Sequence, residues 1–184
     1  MIDTLSYIGG NLNKGKVVWG VGASIILNHH GIIDKPNDID ILVHLDDIEK
    51  ADTILSSIGK KKKVKKTNTY STKYFYEYSL NGTDIDVMSG LRINYENGIF
   101  EYIFDESSIS EIKKIKGVNI PLTSLEDWYV LYQLIPNRGE KVDLIENYLL
   151  LNGIKQPGLL ERSLKRDLPK EVRYKIERLL NLHG

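Results

Sequence analysis

The fold is decided by residues 38–43, which read Asp-Ile-Asp-Ile-Leu-Val. The run is short, apolar and rich in β-forming residues, so it predicts a buried strand. Side chains alternate along a strand, so Asp38 and Asp40 should point to one face of the sheet, with Ile39 between them on the other. Two carboxylates on one face repel each other unless a cation neutralises them. The stretch therefore predicts a sheet that carries a metal site.

A second triplet of the same kind occupies residues 84–86, Asp-Ile-Asp, just after the dipeptide Asn81-Gly82. Asn-Gly between two β-forming runs is a strong hairpin signal. We therefore expect a strand over residues 83–89 that returns from a tyrosine-rich strand over residues 70–80. If the returning strand neighbours the first one, one of its carboxylates joins the earlier pair.

The third carboxylate of such a cluster is either Asp84 or Asp86. Asp84 stands beside the hairpin turn, where solvated aspartates are common. Clustered carboxylate oxygens are hard ligands that suit Mg²⁺, or Mn²⁺ in its place. Converging carboxylates can hold two cations side by side, the arrangement used for in-line phosphoryl transfer.

A phosphate site is predicted upstream of the first aspartate pair. A short strand that reaches Trp19 is followed by the turn Gly20-Val21-Gly22 and by a helix from Ser24 to His30. Backbone N–H groups at a helix N-terminus bind phosphate, and a serine hydroxyl there adds a donor. The turn lacks the third glycine of a dinucleotide-binding fingerprint, so that interpretation is disfavoured.

Composition excludes several classes of protein. The chain of 184 residues has 25 basic and 25 acidic side chains, so no net charge attracts it to nucleic acid or membranes. It has no cysteine, which excludes disulfides and thiolate metal sites. No signal peptide or transmembrane segment is recognisable. We expect a cytoplasmic protein that does not bind membranes.

Strand and helix signals alternate in the first part of the chain and are all helical after Pro121. The last strand candidate covers residues 99–104, and helices are expected over residues 124–134 and 140–151. The predicted fold class is α/β, of the α+β kind: a mixed β-sheet flanked by helices. We assign residues 1–120 to a catalytic core and residues 121–184 to a C-terminal helical segment.

Three motifs together carry a resemblance to a known family. They are VGASIILNHHG at residues 21–31, DIDILV at residues 38–43 and TDIDVMSG at residues 83–90. In this order and spacing they resemble the nucleotidyltransferase fold of the DNA polymerase beta superfamily. The likeness is greatest to its small bacterial members, which include minimal, antibiotic-modifying and abortive-infection nucleotidyltransferases. It covers roughly residues 16–150, including a similar helical tail.

The resemblance implies a set of site residues. Asp38, Asp40 and Asp86 would be catalytic and would bind two Mg²⁺ ions. The predicted nucleotide-binding residues are Gly22, Ala23, Ser24 and Lys141. Ala23 departs from the family pattern, which has glycine or serine there, so phosphate contact falls to the backbone and Ser24. Lys141 and Arg138 stand near a helix start, where reaching a triphosphate and simple solvation are both open.

The implied activity is Mg²⁺-dependent transfer of a nucleoside monophosphate from an NTP, with ATP expected, to an acceptor hydroxyl. The acceptor is a small molecule, a tRNA end or a protein side chain. One alternative is a catalytically inactive relative that acts as an interaction protein, such as a toxin–antitoxin partner. Another is an RNA-binding module that uses the lysine-rich run at residues 60–66, which otherwise is a solvated loop.

Two further groups of residues have plain structural interpretations. His29 and His30 end the helix that Ser24 begins, where histidines commonly cap a helix C-terminus. The tyrosines at positions 70, 74, 76 and 78 are expected mainly to pack on a sheet surface, and some of them to border an acceptor cleft.

Overall fold

The structure is a computed structural model that describes residues 1–64 and 67–183. It contains seven α-helices in that part of the chain: α1 (Ile2–Lys14), α2 (Ala23–His29), α3 (Ile48–Ile58), α4 (Leu125–Leu134), α5 (Gly139–Asn152), α6 (Pro157–Leu164) and α7 (Lys170–His183). The nine described strands are β1 (Trp19–Val21), β2 (Ile39–Val43), β3 (Lys60–Lys61), β4 (Tyr74–Leu80), β5 (Thr83–Ser89), β6 (Arg92–Tyr95), β7 (Gly98–Glu101), β8 (Ile109–Ile115) and β9 (Val118–Thr123).

Seven strands form one mixed sheet in the order β3-β4-β5-β2-β1-β9-β8, and β6 pairs with β7 in a separate hairpin. The pairs β2–β5 and β1–β9 are parallel, and the other pairs are antiparallel. The predicted α/β fold with a mixed sheet and a helical C-terminal part is confirmed.

The hairpin between β4 and β5 turns at the predicted dipeptide. Asn81 and Gly82 have φ angles of 52° and 74°, and Leu80 lies opposite Thr83. Two successive positive φ angles match the right-handed twist of the strands, and Asn and Gly tolerate them best. This turn fixes the register that places Asp86 on β5.

Two strands were missed, because the last predicted strand covered residues 99–104 and only helices were expected after Pro121. Strands β8 and β9 form a further hairpin, with Lys116 and Gly117 at its turn and φ angles of 48° and 83°. The predicted boundary between residues 120 and 121 falls inside β9, so the sheet continues to Thr123 before α4 begins. The division of the chain into two parts stays a prediction.

The helices cover the sheet and pack on each other. Helix α1 contacts β9 and α3, and α3 also contacts β4. Helix α4 contacts α5, α6 and α7 in the C-terminal part and reaches α2 and β6. Its N-cap is Ser124, whose hydroxyl accepts a hydrogen bond from the N–H of Asp127 at 3.0 Å. Because nearly every residue of α4 is buried, this helix forms the centre of the C-terminal half.

No helix in the described ranges is both long and apolar enough to cross a membrane. The predicted location in the cytoplasm stays a prediction.

Candidate active site

Pairing between β2 and β5 brings three aspartates together. Asp40 lies opposite Asp86, and residues that lie opposite each other in a sheet point to the same face. Carboxylate oxygens of Asp38, Asp40 and Asp86 lie within 4.8 Å of one another. We call these three residues the aspartate cluster.

Asp84 lies outside the aspartate cluster. It is exposed, stands opposite Ser79 near the hairpin turn, and accepts a hydrogen bond from Lys62 Nζ at 2.5 Å. The geometry therefore favours Asp86 as the third acid. The catalytic role of each aspartate stays a prediction.

The aspartate cluster has an unfavourable charge balance without a cation. Burial raises the pKa of Asp40 well above its ordinary value, and the Asp38 and Asp86 carboxylates add to this effect. Burial, followed by the carboxylates of Asp38 and Glu77, raises the pKa of Asp86 to about 6. In the described part of the chain no salt bridge neutralises the cluster. Converging, partly buried carboxylates without a cationic partner fit hard divalent ions such as Mg²⁺.

The cluster lies in a cleft of about 170 Å³ between the sheet and the helical part. Besides the three aspartates, its walls include Ala23, Ser24, Asn37, Tyr70, Met88, Leu91, Trp128, Tyr132, Ile135, Arg138 and Lys141. Carboxylates, two cationic side chains and several aromatic rings therefore share one space. Such a cleft can hold metal ions, phosphates and a flat apolar group together.

Gly22 is needed because α4 comes very close to the turn after β1. A Cβ atom at Gly22 would lie 2.2 Å from Cζ2 of Trp128. The indole N–H of Trp128 donates a hydrogen bond to Thr123 Oγ1 at 2.8 Å, which fixes the ring in this position. Gly22 does not line the cleft, and its N–H donates to the carbonyl of Asp40 at 3.0 Å. Gly22 thus ties the turn to β2, and its contact with a nucleotide stays a prediction.

Ala23 and Ser24 do line the cleft. Ala23 has a φ of 50°, in the left-handed region that costs a residue with a Cβ about 1 kcal/mol. The buried Ser24 hydroxyl accepts a hydrogen bond from the N–H of Asn37 at 3.2 Å. Its own hydrogen has no acceptor among the described residues and can donate to a ligand. Ser24 therefore connects the start of α2 to the segment that leads into Asp38.

Two cationic side chains enter the cleft from the N-terminus of α5. Arg138 precedes this helix, and Lys141 lies in its first turn. Burial and the neighbouring Arg138 lower the pKa of Lys141, whereas the charges of Asp40 and Asp38 act in the opposite direction. The Lys141 Nζ lies 5.0 Å from the ring centre of Tyr132. Both residues thus face the aspartate cluster across the cleft, and their contact with a triphosphate stays a prediction.

Comparison with solved structures finds proteins with a similar fold. A candidate nucleotidyltransferase from Thermotoga maritima is 26% identical, with a TM-score of 0.61 over 80% of this chain and 91% of that one. ANT(2″)-Ia in complex with adenylyl-2″-tobramycin is 11% identical, with a TM-score of 0.57 over 96% and 97% of the two chains. The lincosamide antibiotic adenylyltransferase LnuA, with lincomycin bound, is 18% identical, with a TM-score of 0.53 over 79% and 96%.

This chain has the nucleotidyltransferase fold. No protein-family model matches its sequence, and neither does any curated protein. The resemblance that three short motifs indicated is thus supported by the three-dimensional structure.

Several residues of this cleft were missed in the sequence. Trp128 and Tyr132 line it from α4, and Asn37 lines it from the segment before β2. The two aromatic residues stand four positions apart on a helix, so they share one face. That spacing on an aromatic-rich helix was the available signal. It does not show that the aromatic face of α4 packs against the turn after β1.

The two histidines, and three of the four tyrosines at positions 70, 74, 76 and 78, lie outside the cleft. His29 Nε2 lies 3.0 Å from Glu111 Oε2, and His30 Nδ1 lies 3.2 Å from the hydroxyl of Tyr148. Their side chains thus reach β8 and α5, while His29 lies in the last turn of α2 and His30 is its C-cap residue, as expected. Tyr70 is the one member of the tyrosine group that borders the cleft.

The lysine-rich run is partly a strand. Lys60 and Lys61 form β3, which pairs with β4, so a loop interpretation was wrong there. Lys61 Nζ contacts Asp52 at 2.6 Å and lies 3.7 Å from the ring centre of Tyr76. Residues 65 and 66 lie outside the described residues.

Proposed function

We propose that the protein transfers a nucleoside monophosphate from an NTP, with ATP as the expected donor, to an acceptor hydroxyl. The acceptor oxygen forms a bond to the α-phosphorus, the bond from that phosphorus to the bridging oxygen breaks, and pyrophosphate leaves. The observation that carries the proposal is the shared cleft: the aspartate cluster, Ser24 and Lys141 all line it. Acidic, hydroxyl and cationic groups at one place match the parts of a metal–nucleotide complex.

The proposed cofactor is Mg²⁺, with two ions expected and Mn²⁺ able to replace them. Asp38, Asp40 and Asp86 would hold these ions, which supply neutralisation of the triphosphate and a lower pKa for the acceptor hydroxyl. The three carboxylates converge without a cationic partner in the described structure, so they suit Mg²⁺ as ligands.

The residues of the chain have distinct proposed tasks. Ser24 donates its free hydroxyl hydrogen to a phosphate oxygen, and the backbone at Ala23 lies beside it. Lys141 and Arg138 attract the phosphates from the opposite wall of the cleft. Asp86 lies on the side of the cluster nearer β4 and takes part in deprotonating the acceptor. The rings of Trp128 and Tyr132 exclude water from this wall.

Among the acceptor classes that the sequence left open, we favour a small molecule. The structures of ANT(2″)-Ia and LnuA hold an adenylylated antibiotic and an antibiotic respectively. Both chains match this fold over most of their length.

A label-transfer assay tests the proposal. The full chain is incubated with Mg²⁺, each of the four α-phosphate-labelled NTPs in turn, and the small-molecule, RNA and protein fractions of a cell extract. We expect metal-dependent transfer of label, loss of transfer in Asp86→Asn, and retention in the matched control Asp84→Asn. No transfer to any fraction, together with no Mg²⁺-dependent nucleotide binding, would mean an inactive interaction protein.

A further inference from the structure

A cavity of about 550 Å³ lies between α1, α2 and the β8–β9 hairpin, and it shares no lining residue with the cleft of the aspartate cluster. Helix α2 contributes to both spaces, since Ser24 lines the cleft and the next residue, Ile25, lines the cavity. Pockets that bind small molecules usually measure about 300–1,000 Å³. We call this cavity the lysine groove, after four of its lining residues, Lys35, Lys113, Lys114 and Lys116.

The base of the lysine groove is aliphatic. Leu5 on α1 and Leu122 on β9 line it and are only 3% and 2% exposed. Ile25 and Ile115 are half-buried and add further aliphatic surface. Among the described lining residues the imidazole of His29 is the only ring with π electrons, so a nucleobase would find little to stack on. A flexible hydrocarbon chain suits these walls better than a flat aromatic ligand.

The rim of the lysine groove carries positive charge that is only partly compensated. Lys116 pairs with Asp3, whereas Lys35 and Lys114 form no ion pair with any residue in the described part of the chain. The described lining residues include no carboxylate. Several positive charges beside an apolar surface attract an anion. The rim is therefore complementary to a negatively charged head group.

The acidic residues near the rim leave this balance positive. Glu111 does not line the groove, and its Oε2 lies 3.0 Å from His29 Nε2. The other ring nitrogen of His29 lies 3.0 Å from Lys113 Nζ, so this one carboxylate serves both residues. Asp34 precedes Lys35 in the sequence, but it neither lines the groove nor forms an ion pair among the described residues. Four lysines thus face the paired carboxylates of Asp3 and Glu111 alone.

Protection of a sheet edge explains only part of this arrangement. Strand β8 lies at the edge of the seven-stranded sheet, and lysines on edge strands prevent further strands from adding. That role is sufficient for Lys113 and Lys114. It does not explain Lys35, which enters from the segment before β2, or the aliphatic base that the four side chains surround.

We propose that the lysine groove binds a free anionic amphiphile, a single aliphatic chain that ends in a carboxylate or phosphate group. The chain lies on the base formed by Leu5 and Leu122, and the head group accepts hydrogen bonds from Lys35 and Lys114. Burial of the chain supplies affinity, and the lysines select the negative head. The proposal does not depend on nucleotide transfer, because the two sites share no residue.

Binding of small probes to the full chain tests the proposal. Decanoate, hexanoate and the neutral decan-1-ol are each titrated at concentrations at which they are monomeric, with calorimetric detection. We expect decanoate to bind about tenfold more tightly than decan-1-ol, because only decanoate pairs with the lysines. It should also bind at least about tenfold more tightly than hexanoate, which buries four fewer methylene groups. Amide NMR signals of the groove residues should shift with decanoate.

A pair of double variants provides the control. Lys35→Gln with Lys114→Gln should remove the preference for decanoate over decan-1-ol. Lys165→Gln with Lys170→Gln, which removes two exposed lysines far along the chain on the C-terminal helices, should retain it.

Several results would overturn the proposal whether or not label transfer is observed. They are equal affinity for decanoate and decan-1-ol, equal affinity for decanoate and hexanoate, an undiminished preference in the groove variant, and NMR shifts confined to other parts of the chain. Binding to vesicles of phosphatidylcholine and phosphatidylglycerol without binding of monomeric decanoate would also overturn it, since the lysines would then serve a membrane surface.

Discussion

Asp40 and Asp86 lie directly opposite each other on the parallel strands β2 and β5. Burial and the neighbouring carboxylates raise the pKa of both residues. In the absence of a cation, this juxtaposition therefore lowers the stability of the fold at neutral pH. The site keeps an unfavourable pairing that a bound cation would turn into a favourable one.

The first prediction concerns the pH dependence of stability without metal. The pKa of Asp86 is raised to about 6 from 3.8, so its favourable contribution is complete below 3.8 and is lost as the pH rises through 6. At pH 7 in EDTA, Asp86→Asn should therefore raise the free energy of unfolding by about 2–3 kcal/mol. The gain should disappear near pH 4, which urea denaturation at several pH values measures. The control Asp84→Asn, which removes an exposed ion pair, should change stability by less than about 1 kcal/mol.

The second prediction separates nucleotide binding from transfer. Asp38→Asn and Asp40→Asn should lose the stabilisation of the melting temperature by Mg²⁺ plus NTP, because both carboxylates are proposed to hold the ion that accompanies the triphosphate. Asp86→Asn should keep most of that stabilisation and still lose label transfer, because its contribution matters chiefly in the transition state. A full ligand-induced shift in Asp38→Asn or Asp40→Asn would mean that the metal site has been misplaced.

The third prediction concerns the contact between Gly22 and Trp128. The φ of Gly22 is −137°, which any residue adopts, so only the lack of space requires glycine. Gly22→Ala should destabilise the protein by about 1–3 kcal/mol because the new methyl group collides with a fixed indole ring. Gly139→Ala is the control, since its Cβ would meet nothing within 4 Å. Thermal melting that ranks Gly139→Ala below Gly22→Ala would contradict the packing described.

The fourth prediction concerns Ser24. Ser24→Ala removes the acceptor for the N–H of Asn37 and the proposed donor to phosphate. We expect stability to fall by about 1 kcal/mol and NTP affinity to weaken by about 0.5–1.5 kcal/mol, the usual range for one hydrogen bond. Calorimetric titration of a non-hydrolysable NTP measures the second effect. Ser57→Ala, on the exposed side of α3, should leave the affinity unchanged, and an unchanged affinity in Ser24→Ala itself would place the phosphates elsewhere.

The aspartate cluster was predictable because local signals agreed with each other. Period-two alternation set Asp38 and Asp40 on one face, and the Asn81-Gly82 turn set the register of β5. The choice between Asp84 and Asp86 needed only the knowledge that β5 lies beside β2. That neighbour relation came from family resemblance, since strand order is a long-range property.

Strands β8 and β9 were missed for physical reasons. Most of β8 is exposed, so its sequence lacks a clear apolar face. The end of the sheet was placed near Pro121 because the sequence changes there from strand signals to helix signals. A proline lacks the N–H that a ladder needs, and the ladder between β1 and β9 is limited to the pair Val21–Leu122.

The packing of Trp128 against Gly22 determines how a truncated chain should behave. Thr123 Oγ1 accepts a hydrogen bond from the indole and donates one to the carbonyl of Val21 at 2.8 Å. One hydroxyl group therefore joins the end of β1, the strand β9 and the helix α4. A fragment that stops at residue 120 would leave a hole where the indole sits and would lose one wall of the cleft. We expect the truncated chain to be neither soluble nor able to bind nucleotide, and the full chain to melt in a single cooperative transition.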